Sequence, residues 1–242
     1  MATVPARLFD TRSPQGGGAL AAGATRLITI AGQGGLPESG VAAVVVNLTA
    51  TQAQPGFLRL WPSGGAPETS NLNVDRLTQT IANLAIVAVG PDGKIRLQSQ
   101  NGGHAVIDLV GYFTDDSAQA GGSAGYFVPV APAGLGDSRI DLHDRPRGYW
   151  FGGRLLQVPV AGRFGVPGDA AAVLATMTVT APTASGWAIA GPFGTGESSN
   201  VNYDKGATIA NLAVARPDEG GLQLVSTVWA DLIADVSGYF TG

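Results

Sequence analysis

The sequence predicts an all-β protein that consists of two tandem β-sandwich domains of about eight strands each. Three observations support this fold class. The second half of the chain repeats the first, short apolar runs recur every 10–15 residues or so, and no window shows the 3.6-residue apolar stripe of an amphipathic helix. The 36 glycines and 15 prolines separate the apolar runs, as expected where tight turns join short strands.

The repeat extends along nearly the whole chain. Residues 1–114 align with residues 125–242, and both halves contain "TIANLA" and end on "GYFT". Matches spread over such a length indicate duplication of one unit. We therefore expect a first domain over 1–114, a linker over 115–125 and a second domain over 126–242, because the small and acidic linker residues favour a flexible chain.

The first copy contains eight strand-like runs in order. The run "GFLRLW" alternates, which places Phe57, Arg59 and Trp61 on one face and two leucines on the other. The runs "AAVVVNL" and "IANLAIVAV" are nearly continuous in apolar residues, which predicts burial on both faces. Eight short strands in two layers are typical of a jelly-roll-like sandwich. The expected strands are 6–12, 25–32, 42–52, 56–62, 70–74, 80–89, 94–100 and 104–114.

Asparagine recurs at matching places in the two copies, although it is a poor strand residue. Asn71 and Asn83 in the first copy correspond to Asn200 and Asn211 in the second. An amide can satisfy the backbone of a neighbouring loop that lacks a ladder partner. We expect this structural role, in which the amides lie inside the sandwich; a ligand contact is the alternative.

A second pattern that both copies keep is an Asp-x-Arg pair on one face of the first strand. Asp10 and Arg12 in the first copy correspond to Asp137 and Arg139 in the second. A carboxylate and a guanidinium at this spacing are expected to form an ion pair that holds the first strand in place.

Composition and charge exclude several function classes. The net charge of −4 and the absence of a basic run argue against a nucleic-acid partner. With no cysteine, the chain has no thiolate metal site, thiol nucleophile or disulfide. No apolar stretch reaches the ~18 residues of a membrane span. The start "MATVPARLFDTR" lacks a leader pattern, so an exterior protein would have lost its leader or would leave the cell by another route.

The residues that could support catalysis do not form a catalytic pattern. His104 and His143 have no ligand at metal-binding spacing. The segment "GGSAG" fits the G-x-S-x-G pattern, but it falls in the linker, where the strand and helix of a nucleophile elbow are not expected. Asp108 and Asp235 belong to separate copies, so they do not predict a carboxylate pair. We therefore expect no enzyme activity, no cofactor and no metal.

The copies differ most in the loop after the first strand. The first copy has "SPQGGGALAAGAT" there, whereas the second has "IDLHDRPRGYWFGG". Aromatic side chains beside arginine are typical of binding hot spots. We expect a contact site for a partner protein or a glycan; packing of this loop on its own domain or against the first domain is the alternative. Its residues are Arg145, Arg147, Tyr149, Trp150 and Phe151.

Together, "PARLFDTR", "SNLN" with "TIANLAIV", and the closing "IDLVGYF" resemble a repeat domain that is abundant in secreted and surface proteins of actinobacteria. Its opening motif is close to P-x-R-L-L-D-T-R, and its end is close to V-D-V-x-G-Y-F. The resemblance covers residues 4–114 and, less faithfully, 127–240, where the opening reads "PAGLGDSR". It implies an accessory extracellular β module without assigned catalytic residues.

The sequence as a whole predicts a non-catalytic exterior module with a structural or attachment role. We expect it at the cell surface or outside the cell, where it binds a cell-wall glycan or a partner protein through its loops. The first alternative is a structural protein of a phage virion, such as a head-decoration or tail component, which would assemble as a homo-oligomer or a lattice. A glycan hydrolase is the second alternative.

Overall fold

The computed structural model describes residues 2–115, 125–141, 156–191 and 199–242. It confirms the all-β fold class. The described residues form sixteen strands, and their one helical element is a 3-10 turn at Pro14–Gly16. Contacts divide the chain into two compact units, with eight strands in each. The predicted linker 115–125 lies largely outside the described residues.

Unit 1 is a sandwich of two four-stranded sheets. Its first sheet has the order β1-β8-β3-β6, and its second sheet has the order β2-β7-β4-β5. The strands are β1 (Ala2–Asp10), β2 (Thr25–Thr29), β3 (Val41–Ala53), β4 (Gly56–Trp61), β5 (Leu72–Val74), β6 (Gln79–Ala88), β7 (Lys94–Ser99) and β8 (His104–Thr114).

Unit 2 repeats this topology. Its first sheet has the order β9-β16-β11-β14, and its second sheet has the order β10-β15-β12-β13. The strands are β9 (Phe127–Asp137), β10 (Leu156–Pro159), β11 (Ala172–Thr180), β12 (Gly186–Ala190), β13 (Val201–Tyr203), β14 (Thr208–Ala215), β15 (Gly221–Ser226) and β16 (Asp231–Phe240).

The pairing within each unit is nested. In unit 1 the first strand lies beside the eighth, the second beside the seventh, the third beside the sixth and the fourth beside the fifth. Unit 2 has the same arrangement. Two four-stranded sheets with this order form a jelly roll, as the sequence predicts.

The core of each unit lies between its two sheets. Because strand side chains alternate, each strand contributes every second residue to the core. In β4, Leu58 and Leu60 are buried in it, while Arg59 lies on the outer face over the rings of Phe57 and Trp61. The predicted alternation of "GFLRLW" is therefore confirmed. In unit 2 the corresponding core contains Met177, Leu222 and Leu224, among others.

The prediction of burial on both faces is right for one strand and wrong for another. All residues of β3 from Val44 to Thr51 are buried, so the side chains on both faces of this inner strand are covered. In contrast, β6 is the edge strand of the same sheet, and its Ile86 is 62% exposed. A continuous apolar run therefore does not distinguish an inner strand from an edge strand.

Strand register fixes which residues of the two units are equivalent. Gly56 pairs with Val74 and Leu58 with Ser99 in unit 1. In unit 2 the same positions are the pairs Gly186 with Tyr203 and Ala188 with Ser226. This correspondence allows each side chain of interest to be compared with its counterpart.

Candidate functional site

The contact site predicted from the sequence consists of Arg145, Arg147, Tyr149, Trp150 and Phe151. All five lie outside the described residues, so their role stays a prediction. The described residues contain four other groups of interest: an asparagine pair, a charge cluster, an arginine stack and an exposed tryptophan surface.

The asparagines form the same hydrogen bonds in both units. Asn71 Oδ1 accepts from the backbone N–H of Leu60 at 2.6 Å, and Asn83 Nδ2 donates to the Asn71 carbonyl at 2.8 Å. Since Asn83 lies in β6 and Asn71 precedes β5, the pair links the two sheets at one edge of the sandwich. The amides satisfy backbone groups that have no ladder partner there.

In unit 2, Asn200 accepts from the Ala190 N–H at 2.7 Å, and Asn211 donates to the Asn200 carbonyl at 2.7 Å. Burial differs between the copies, however. Asn211 is only 4% exposed, whereas Asn83 is a solvent-exposed residue. The expectation that both amides lie inside the sandwich is therefore wrong for Asn83. β6 and its counterpart β14 are both edge strands, so the position of the strand in the sheet does not explain the difference.

A charge cluster joins β1 to β8 in unit 1. The Arg7 guanidinium donates to Asp108 Oδ1 at 2.5 Å and to Asp10 Oδ2 at 3.0 Å. Arg12 binds both oxygens of Asp10, at 2.9 and 2.7 Å. Asp108 is only 2% exposed, so Arg7 supplies the counter-charge of a buried carboxylate and connects the edge strand to its neighbour.

The two carboxylates of this cluster titrate differently. The hydrogen bonds from Arg12 lower the pKa of Asp10 to about 2. Burial raises the pKa of Asp108, and the hydrogen bond and charge of Arg7 oppose that rise. Asp108 is thus a costly buried charge that depends on Arg7, while Asp10 is a well-stabilised anion near the surface.

Unit 2 retains only part of the cluster. Arg139 binds both oxygens of Asp137, at 2.9 and 2.7 Å, as Arg12 binds Asp10. Glycine replaces Arg7 at position 134, and among the described residues no arginine binds Asp235, the counterpart of Asp108. Burial raises the pKa of Asp235, and the nearby charge of Asp137 adds to the rise. Retention of the Asp-x-Arg pair in both units indicates a role in the turn after the first strand.

The outer face of the second sheet in unit 1 carries the arginine stack. The Arg59 guanidinium lies 5.5 Å from the ring centroid of Phe57 and 5.8 Å from that of Trp61. It also donates to Gln98 on β7 and to the Pro67 carbonyl. With its donors bound within unit 1 and Trp61 buried, this group is a packing element of the sheet.

One end of unit 2 exposes two tryptophans. Trp187 at the start of β12 is 42% exposed, and Trp229 between β15 and β16 is 57% exposed. Around them lie Thr183, Ser185, Asp204 and Thr227. We call the six residues the tryptophan surface.

Hydrogen bonds hold the two tryptophans on one framework. The Thr227 N–H donates to the Trp187 carbonyl at 3.0 Å, and the Trp187 N–H donates to Thr227 Oγ1 at 3.0 Å. The Thr183 N–H donates to the Trp229 carbonyl at 2.8 Å. The segments 183–187 and 227–229 are therefore bound to each other at both tryptophans.

The tryptophan surface is specific to unit 2. By register, Trp187 corresponds to Phe57, and Trp229 corresponds to Gly102. Sequence reasoning missed this surface because the tryptophans lie 42 positions apart along the chain. A signal was nevertheless present, since alignment of the two copies sets a tryptophan against a glycine at this point.

The described residues also bear on metal and membrane sites. His104 Nδ1 is hydrogen-bonded to Thr11 Oγ1 at 2.8 Å. Within the described ranges, no group of three or more His, Asp or Glu side chains could hold a metal ion. In the same part of the chain, no helix is long and apolar enough to cross a membrane. Comparison with known proteins finds no matching family model and no matching curated protein.

Proposed function

We propose that the protein is a non-catalytic attachment module that works outside the cell or at its surface. It holds a glycan or a partner protein through aromatic side chains of unit 2. The observation that supports this most is the exposure of Trp187 and Trp229 at one end of a two-sheet scaffold. Large indoles left in water are costly in a monomer, and grouped exposed aromatics mark binding surfaces.

The charge cluster favours this proposal over the hydrolase alternative. Paired-carboxylate hydrolysis requires two acids that face an open cleft. In unit 1, however, Asp10 and Asp108 both bind Arg7, and Asp10 also binds Arg12. Both carboxylates are therefore bound by arginines and stabilise β1 and the turn that follows it.

The predicted contact loop supplies the first test of attachment. We expect the double change Tyr149→Ala with Trp150→Ala to weaken retention on cell-wall fragments by about tenfold or more, the loss typical of a hot spot. Thermal unfolding should stay nearly unchanged, because a contact loop adds little to the core. The measurement is co-sedimentation with the fragments, beside calorimetry of the same variants.

Leu27→Ala serves as the control, because Leu27 is an exposed apolar residue of unit 1. It should alter neither retention nor unfolding. A Tyr149→Ala, Trp150→Ala chain that retains the fragments but melts early would instead make the loop a packing element, as the alternative interpretation holds.

A virion structural protein is the second candidate. The observation that favours it is the jelly-roll topology of both units, since viral capsid proteins use this fold as lectin domains do. The two candidates differ in assembly: a lattice component makes ordered contacts between copies, whereas an attachment module binds as a single chain.

A further inference from the structure

We propose that the tryptophan surface of unit 2 is a carbohydrate-binding site for the pyranose rings of a neutral glycan chain. The inference rests on the proposed attachment function and names a site and a ligand class for it. It shares no residue with the predicted contact loop, since its six residues lie in segments 183–187, 204 and 227–229.

The two indoles match the apolar part of a sugar. One face of a pyranose ring presents C–H groups, whose positive edges suit the negative face of an aromatic ring. Trp187 and Trp229 are 42% and 57% exposed, so part of each residue lies at the protein surface. Two indoles on one framework can hold two rings of the same chain, which favours an oligosaccharide over a monosaccharide.

Polar groups of the surface match the rest of the sugar. The Thr183 and Thr227 hydroxyls donate to the Trp229 and Trp187 carbonyls at 3.1 and 3.2 Å, so toward a sugar they act as acceptors through their remaining lone pairs. The Asp204 carboxylate also accepts. The Ser185 hydroxyl already donates to Asp204 at 3.3 Å, a weak bond that a sugar hydroxyl can replace. A ring with alternating C–H and O–H groups needs both kinds of partner, and this surface provides both.

The same pattern argues against a protein partner. The centre of a protein interface is apolar, with few charged residues. Here, exposed hydroxyl-bearing residues lie in the same two segments as the tryptophans, so the surface has no continuous apolar centre. Asp204 is followed by Lys205, and these opposite charges favour a neutral glycan over a strongly anionic one.

The backbone of the site is fixed before any ligand binds. The Tyr203 hydroxyl, buried beneath β12, donates to the Trp187 carbonyl at 3.0 Å and contacts Ser226 Oγ at 2.7 Å. In unit 1 the equivalent of Tyr203 is Val74, which lacks the hydroxyl. A preorganised backbone reduces the entropy lost on binding, so the bond supports a site present only in unit 2.

The test is binding of the full chain to a glycan array and to insoluble cellulose, chitin and purified cell-wall polysaccharide. We expect retention by at least one of them. We further expect Trp187→Ala and Trp229→Ala each to weaken it about tenfold, and the double variant about a hundredfold, if the two stacking contacts add independently. Trp187→Phe with Trp229→Phe should retain part of the binding, because a ring face remains.

The matched control is Ile86→Ala, which removes an exposed apolar side chain from unit 1 and should bind like the parent chain. Calorimetry of every variant checks that folding is intact. A chain retained by none of these glycans overturns the assignment, as does one whose glycan binding survives in the double tryptophan variant.

The controls separate this inference from the proposed function. Glycan binding that is lost in the Tyr149→Ala, Trp150→Ala chain but kept in the Trp187→Ala, Trp229→Ala chain would overturn the site, while attachment would stand. Retention on cell-wall fragments that needs Trp187 and Trp229 but is abolished by protease treatment of the fragments would overturn the ligand class in favour of a protein partner. A chain that binds neither glycans nor fragments contradicts both proposals.

Discussion

Asn83 and Asn211 make the same hydrogen bond in different surroundings. Each donates to the carbonyl of an asparagine just before the short fifth strand of its unit, at 2.8 and 2.7 Å. Water can replace the exposed Asn83 amide, but it has little access to the buried Asn211. The energetic value of the bond therefore depends on burial, since an unmade buried hydrogen bond costs more than an exposed one.

This difference leads to a prediction at the scale of single residues. We expect Asn211→Ala to lower the free energy of unfolding of unit 2 by about 1–3 kcal/mol, because it leaves the Asn200 carbonyl unsatisfied. Asn83→Ala should cost unit 1 less than about 1 kcal/mol. Hydrogen exchange of peptides from β14 and β6 reports the two units separately, and equal losses would contradict the role given to burial.

The sequence predicts the role of these asparagines but not their burial. The repeated phrase identifies the amides as structural, because both copies keep them. β6 and β14 are both edge strands, so whether an amide is covered depends on the packing around it. This is a tertiary property that the local pattern "TIANLA", identical in both copies, does not encode.

Among the strands, β1 is joined to its neighbour by the charge cluster as well as by its core contacts. It is an edge strand with a single neighbour, β8, and the Arg7–Asp108 ion pair joins the two strands at 2.5 Å. Because Asp108 is buried, loss of Arg7 would leave a carboxylate without its counter-charge. The edge strand and the ionisation of Asp108 are therefore coupled.

We expect Arg7→Ala to destabilise unit 1 by about 2–3 kcal/mol at neutral pH, somewhat less than for a fully buried pair because Arg7 is partly exposed. The measurement is hydrogen exchange of β8 peptides, with β16 peptides of unit 2 as the internal control. Asp108→Asn in the Arg7→Ala background should recover most of the loss, because it removes the buried charge. Arg12→Ala, which removes an exposed arginine of the same cluster, should cost less than Arg7→Ala.

The loss caused by Arg7→Ala should depend on pH in a defined direction. Without Arg7 the pKa of Asp108 rises further, so the folded state keeps this proton to higher pH than the unfolded chain. The loss of unfolding free energy that is due to Asp108 is then smallest below the ordinary pKa of this group, about 4. It grows as the pH rises toward the raised pKa of the folded state and is complete above that pKa. A loss that stays constant from acid to neutral pH would assign Arg7 a packing role.

At the scale of elements, the sequence places the strands well because tight turns bound short apolar runs. It does not indicate which strands become neighbours. Trp187 and Thr227 become neighbours only because β12 lies beside β15. The tryptophan surface depends on this pairing of strands. The predicted contact loop, in contrast, is one continuous segment, which is why sequence reasoning could identify it.

At the scale of the whole molecule, the duplication allows the structural features common to both units to be distinguished from those found in one unit. Both units keep the jelly roll, the asparagine bonds and the Asp-x-Arg pair. Among the described residues, unit 2 alone has the tryptophan surface, and unit 1 alone has the Arg7–Asp108 pair. Features that both copies share are expected to serve the fold, so we propose that binding belongs to a feature of one copy.

The two candidate functions predict different particle sizes. An attachment module should behave as a monomer of 24.5 kDa, because its contacts are made to a glycan or a partner and not to itself. Size-exclusion chromatography with light scattering measures the mass directly. A closed oligomer or a lattice that forms from the purified chain would favour the virion candidate.

The nested pairing of strands also affects how the protein is made. In unit 1 the first strand ends at Asp10, and its partner begins only at His104. At ribosomal speeds of about 5–20 residues per second, β1 therefore waits roughly 5–20 s after its synthesis before its partner strand exists. Before Asp108 is synthesised, the charge of Arg7 helps to keep the unpaired strand from adding to another sheet edge. Once Asp108 is present, the same side chain binds it and joins β1 to β8.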